Sequence, residues 1–167
     1  MTFSLQILAV TVFAAVMAIA AFEDFRRLVI PNLLPIVMCA MWPLYVASAS
    51  SLHEVLAALG CALAVFAVGA VLFALNKLGG GDVKLLAVAT LWAGPAGTPA
   101  LLMLTGVLGG ALALFLLMPF GNQLATAGRV MLGQSSLVPE RGLATPVPYG
   151  IAIAGAGLIV VLSPYLG

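Results

Sequence analysis

Charge is what this chain has least of. Only 7% of its 167 residues are charged, six Lys or Arg against five Asp or Glu, while 64% are hydrophobic. A soluble domain carries about a quarter of its residues charged, so a fully water-facing exterior is excluded. The mean hydropathy of +1.26 fits a polytopic membrane protein whose outer surface meets the lipid bilayer. A net charge of +1 offers no basic surface for nucleic acid. Cysteine occurs only at Cys39 and Cys61, each alone in an apolar run, and histidine only at His53. With no C-x-x-C pair and no clustered histidine there is no zinc-type ligand set, so no metal or cofactor is expected. Both cysteines read as small buried apolar groups.

What is present is a succession of long apolar runs. A hydrocarbon core of about 30 Å needs about 20 apolar residues of helix. Six transmembrane helices are expected in an all-α, single-domain chain, at about 5–22, 28–46, 52–75, 82–93, 98–118 and 147–165 of residues 1–167. Ala18-Ile19-Ala20 has the form of a signal-cleavage site. No Lys or Arg precedes Arg26, however, and the first run reads as an uncleaved span. The many glycines within the runs are read as close helix packing, since small residues let backbones approach where lipid supplies no hydrophobic drive.

The few charges orient the spans. With six crossings, Arg26, Arg27, Lys77, Lys84, Arg129 and Arg141 all fall on one side. Omitting the short fourth crossing would put Arg129 and Arg141 on the other, against the positive-inside rule. The basic side is therefore expected to be cytoplasmic. Trp42, Tyr45, Trp92 and Tyr165 fall at the outer ends, where an interfacial aromatic belt is expected. The stretch 124–132 is weakly amphipathic around Arg129 and suits a helix lying along the cytoplasmic surface.

Within this topology the only two aspartates, Asp24 and Asp82, come to the same depth at the cytoplasmic face. A carboxylate at the end of an apolar run is costly and is a functional candidate. The plainer readings are a helix cap for Asp82 and a juxtamembrane charge paired with Arg26 or Arg27 for Asp24. Against them, Gly79-Gly80-Gly81 stands directly before Asp82, clearing side chains from its surroundings and leaving room for an extended backbone. His53 falls at the opposite face, which leaves neither a Ser-His nor a Cys-His arrangement near the carboxylates. Two carboxylates sharing a site do not both ionise cheaply. One keeps a proton and the other activates water.

These residues resemble a known family. Gly79-Gly80-Gly81-Asp82-Val83-Lys84 is similar to the G-x-G-D-x-K motif of type IV prepilin peptidases, which are intramembrane aspartyl proteases. Asp24 with Arg26, Arg27 and Ile30-Pro31-Asn32 resembles that family's first motif, and Pro148-Tyr149-Gly150 resembles the segment opening its last helix. The resemblance implies an aspartic endopeptidase of the bacterial inner membrane that removes the basic leader peptide from prepilins or pseudopilins. It makes Asp24 and Asp82 the catalytic pair, and carries Gly79, Gly81 and Lys84 over as motif residues. Gly80 joins them as a candidate substrate-binding position. Glu23 and Glu140 are candidates for docking a basic leader. Lys84 falls two residues beyond Asp82, so on a helix it points away from that side chain, and snorkelling to lipid phosphate competes with a site role. Nothing resembling the paired C-x-x-C domain of the family's long forms fits before Asp24 or between the first two spans. A short form, similar to those serving Tad/Flp pili and without methyltransferase activity, is implied. The competing classes are a small proton-coupled transporter and a non-catalytic component of a secretion machine.

Overall fold

The computed structural model describes residues 2–47, 51–133 and 147–165, and Glu140 and Arg141 lie outside them. The described residues form an all-α membrane protein of six helices: α1 Thr2–Arg27, α2 Leu33–Val46, α3 Leu52–Ala74, α4 Gly80–Leu117, α5 Pro119–Met131 and α6 Tyr149–Leu162. A single 3-10 turn, Ser163–Tyr165, follows α6. Helices α1, α3 and α4 are long and apolar enough to cross a membrane, and α2 and α6 are shorter apolar helices.

Local chemistry sets the boundaries. Helix α1 carries Arg26 and Arg27 in its last turn, where cations favour the helix C-terminus. It stops at Leu28, which takes a left-handed backbone (φ 55°). Pro31 lacks a backbone N–H and disfavours helix in the residue before it, so 28–32 form a corner and α2 starts only at Leu33. The expected second span from residue 28 is corrected accordingly. Helix α3 opens with a capping box: the Glu54 amide donates to Ser51 Oγ (3.3 Å) and the Ser51 amide to Glu54 Oε2 (2.8 Å). Its end is marked by Asn76, also left-handed. Pro119 opens α5, a position where its missing N–H costs nothing.

The fourth and fifth expected spans are the two helical arms of α4, which meet at a single non-helical residue. Gly94 has φ 66° and ψ −178°, a conformation open essentially to glycine alone. The chain reverses there. A Cβ on Gly97 would touch Val160 near the end of α6, whereas one on Gly109 would touch Tyr149 at its start. Residues 80–93 therefore run one way and 95–117 return antiparallel. At 1.5 Å per residue the first arm is only about 21 Å long.

Six apolar segments thus run between two common ends: α1, α2, α3, the two arms of α4, and α6. One end gathers Asp24, Asp82 and Gly150. The other gathers Trp42, Tyr45 and Trp92, with Gln6 bonded to the Tyr165 hydroxyl (2.9 Å). Helix α6 is central because its buried face is small: Gly150, Ala152, Ala154, Ala156 and Gly157 are all buried. A Cβ on Gly157 would come within 3.0 Å of Met17 Cε. On α1 the buried stripe is Ala9, Phe13, Met17 and Ala20, and it ends in Asp24. That spacing is one helical face, so the packing that buries the stripe also aims Asp24 inward.

Two expectations are corrected. Trp42 and Trp92 are buried core residues and not a lipid-facing belt: Trp92 is 2% exposed, packs on Phe13 and Tyr45 at ring centroids of 4.8 and 4.9 Å, and donates from Nε1 to the Met38 carbonyl (3.1 Å). The large rings fill space that the small residues of neighbouring helices leave at that end. Cys39 is exposed and Cys61 half-exposed, because both lie on helix faces turned outward, where a small apolar side chain meets lipid at no cost.

Candidate active site

The cavity between α1, the 28–32 corner and the start of α4 is lined by Asp24, Leu28, Val29, Ile30, Gly79, Gly80, Gly81 and Asp82, with a volume of about 240 Å³. The two aspartates, far apart in sequence, share it. The two stretches singled out in the sequence form its opposite walls.

Asp24 is 5% exposed in the last turn of α1. Its Oδ2 accepts the Gly150 amide at 2.7 Å. That amide belongs to the first turn of α6, where backbone N–H groups have no partner within the helix and favour a negative group. The contact requires glycine. A Cβ at position 150 would lie 2.8 Å from Asp24 Oδ2 and 2.9 Å from its Cβ and Cγ.

Asp82 sits at the third helical position of α4, with Gly79 as the N-cap residue. It is therefore not itself the cap; its carboxylate folds back over Gly79, where a Cβ would meet Oδ2 at 2.7 Å. The other oxygen, Oδ1, is buried with no hydrogen-bond partner among the described residues. Such an atom is costly unless water, a ligand or a proton satisfies it.

The three glycines have separate local reasons. Gly79 clears the Asp82 carboxylate, a Cβ on Gly80 would press the Phe73 ring at 3.2 Å, and one on Gly81 would meet Ile30 Cβ at 3.0 Å. The last contact joins the glycine stretch to the Ile30-Pro31-Asn32 stretch. A second link is Lys84, whose Nζ donates to Asn32 Oδ1 at 2.8 Å. Lys84 points away from the aspartates and borders an apolar groove of about 440 Å³ with Pro35, Ile36, Cys39 and Phe66. Glu23 does not line the cavity either. It lies 3.3 Å from Arg27 in an i,i+4 pair with Arg27 largely exposed, an arrangement worth little. Among the described residues no group of three or more His, Cys, Asp and Glu stands close enough to hold a metal.

Sequence reasoning left out Gly150 as a ligand of Asp24, Leu28 and Val29 as cavity walls, and Arg129. The guanidinium of Arg129, 3% exposed on α5, donates from Nε to the Phe25 carbonyl at 3.1 Å. Burial pulls its pKa below the ordinary arginine value, and the neighbouring Asp24 carboxylate pushes it back up. The only sequence signal was a lone basic residue in an amphipathic stretch.

A model of the type IV leader peptidase family matches residues 11–114. The matched segment contains both aspartates and both cavity walls, and ends before α5 and α6. No curated protein and no solved structure matches the chain significantly.

Proposed function

The chain belongs to the type IV leader peptidase family, and on that premise we propose that it is an aspartic endopeptidase with Asp24 and Asp82 as its catalytic pair. Its substrates are the basic leaders of prepilin-like proteins of the Flp type, cut at the cytoplasmic face of the bacterial inner membrane, which the chain crosses six times. The observation that carries this reading is the meeting of the chain's only two aspartates in one glycine-walled cavity.

The chemistry follows from two carboxylates in one small space. One is ionised and one protonated, since two like charges so placed repel. The ionised member takes a proton from a water whose oxygen attacks the scissile carbonyl carbon. The protonated member donates a hydrogen bond to the carbonyl oxygen as negative charge develops there. The tetrahedral intermediate then collapses, the C–N bond breaks, and the departing amine takes up a proton from the pair. The backbone at Gly79, Gly80 and Gly81 offers an extended peptide a wall without side chains. The chain is read as a short form that hydrolyses without methylating the new N-terminus.

The test is co-expression with a candidate prepilin, following leader removal by mass. Asp24→Asn and Asp82→Asn keep shape and lose the ionisable proton. Each is expected to abolish processing while the protein accumulates normally. Normal processing by either variant defeats the proposal.

A further inference from the structure

Helix α5 differs from every other helix in the bundle: it is not an apolar segment, and it lies across the aspartate end. Its buried positions are Gly121, Ala125 and Arg129, a four-residue spacing that makes one helical face. Two small residues and then an arginine is an unusual inward stripe, because an inward arginine must recover its lost hydration from specific partners. The small residues bring the helix close. Gly128 adds to this, since a Cβ there would press the Phe25 ring at 3.1 Å. The guanidinium then lies over that ring, 5.8 Å from its centroid, with Nε bonded to the carbonyl of Phe25, the residue next to Asp24. Its Nη2 is buried with no hydrogen-bond partner among the described residues.

The two carboxylates consequently have unequal surroundings. Asp24 receives the Gly150 amide at the N-terminus of α6, and Arg129, bonded to the carbonyl of the next residue, is the cation held beside that turn, with no ion pair between the two among the described residues. Asp82 has the Gly79 amide beside it and a buried Oδ1 with no hydrogen-bond partner among the described residues. Among the described residues, the packed helices bring Asp24 no charged side chain besides Asp82 and Arg129. Helix α6 supplies backbone only, α2 contains no charged residue, the start of α4 supplies Asp82, and Lys84 is turned to Asn32. On α1 itself, Glu23 is paired with Arg27, and Arg26 Nε is buried with no hydrogen-bond partner among the described residues.

We propose that Arg129 is a positioning residue that gives the aspartate pair its polarity, holding Asp24 as the ionised member that activates water and leaving Asp82 to carry the proton. The inference rests on the proposed aspartic mechanism and adds to it a residue outside the family-matched segment. It makes α5 part of the catalytic apparatus, acting through Asp24 without touching the scissile bond. An alternative role, in which Arg129 only caps the carbonyl end of α1, would affect folding and leave the ionisation of Asp24 alone.

The pH dependence of kcat/KM for leader removal by the detergent-purified full chain separates the two. Loss of the cation disfavours the Asp24 carboxylate, so a higher pH is needed to ionise it. Arg129→Gln is expected to move the acidic limb of the profile upward by about one pH unit, with activity partly recovered above it. Arg129→Lys retains a charge and is expected to leave the limb within a few tenths of the wild-type position. If the Gln variant does not accumulate, Arg129→Met serves as the neutral replacement. A limb that stays in place in a folded neutral variant, or that moves equally in the Lys variant, overturns the assignment. Asp24→Asn and Asp82→Asn run in parallel keep the failures distinct. Inactive Asn variants with an unmoved limb remove only the role of Arg129, whereas active Asn variants remove the aspartic mechanism itself.

Discussion

The two ends of this bundle are built on opposite principles. At one end Phe13 and Tyr45 pack on the Trp92 ring, and the Trp92 N–H has a carbonyl partner, while that of Trp42 is buried with none among the described residues. At the other, glycines replace side chains, a carboxylate oxygen is left unpartnered, and Leu28 holds a left-handed backbone. The aromatic end gains ring contacts, and the cavities beside them hold no aspartate. The aspartate end gives up packing to keep a cavity around two acids. A membrane bundle needs both, since the helices must be held in place somewhere if the site is to stay open.

Substitutions at the two ends should therefore separate stability from catalysis. The largest effect is expected at the aromatic end: Trp92→Ala leaves a cavity and removes the indole bond to the Met38 carbonyl, costing about 3 kcal/mol of stability. Thermal unfolding in detergent measures this, and leader removal per folded molecule should stay near wild type. A comparable loss of specific activity would break the division. Gly150→Ala comes next, with the emphasis reversed. The new Cβ must displace the Asp24 carboxylate, and a misplacement of even part of an ångström slows processing roughly 10–100-fold, with a much smaller change in unfolding temperature. Gly94→Ala probes the turn that makes the two arms of α4 antiparallel. Forcing a side chain into that backbone conformation should cost about 1–3 kcal/mol, read as lower thermal stability with no change in pH profile. Smallest is Lys84→Met, which removes one exposed hydrogen bond to Asn32. Its expected cost is under about 1 kcal/mol, with processing within about threefold of wild type. A complete loss of processing in that variant would place Lys84 in the chemistry.

Much of this is legible in the sequence. Asp24 and Asp82 stood out because carboxylates are rare in so apolar a chain, and the charge asymmetry brought them to one end. The six apolar segments, the surface character of α5 and the grouping of the aromatics at the far end were also readable from hydropathy and spacing. The reading of the aromatics as a belt misled, because interfacial and buried rings have the same position along a span and differ only in rotation about it. The break at Gly94 was expected as a loop. A single glycine suffices, because its φ is unrestricted and Pro95 follows at once.

Gly150 at Asp24 and Arg129 at the adjoining Phe25 carbonyl were not legible, and the reason is the same for both. Each contact spans more than a hundred residues of chain and is defined by helix rotation and not by any local pattern. Glycine at 150 reads as part of the segment that opens the last helix, with no link to Asp24, until the carboxylate is seen against it. Arg129 looks like a cytoplasmic surface charge until α5 is seen to turn it inward. Composition and pattern were enough to establish a membrane bundle with two acids at one end, because hydropathy and charge placement act on each segment separately. How those acids differ from each other depended on which helices pack around them, a property of the assembled bundle that no single segment carries.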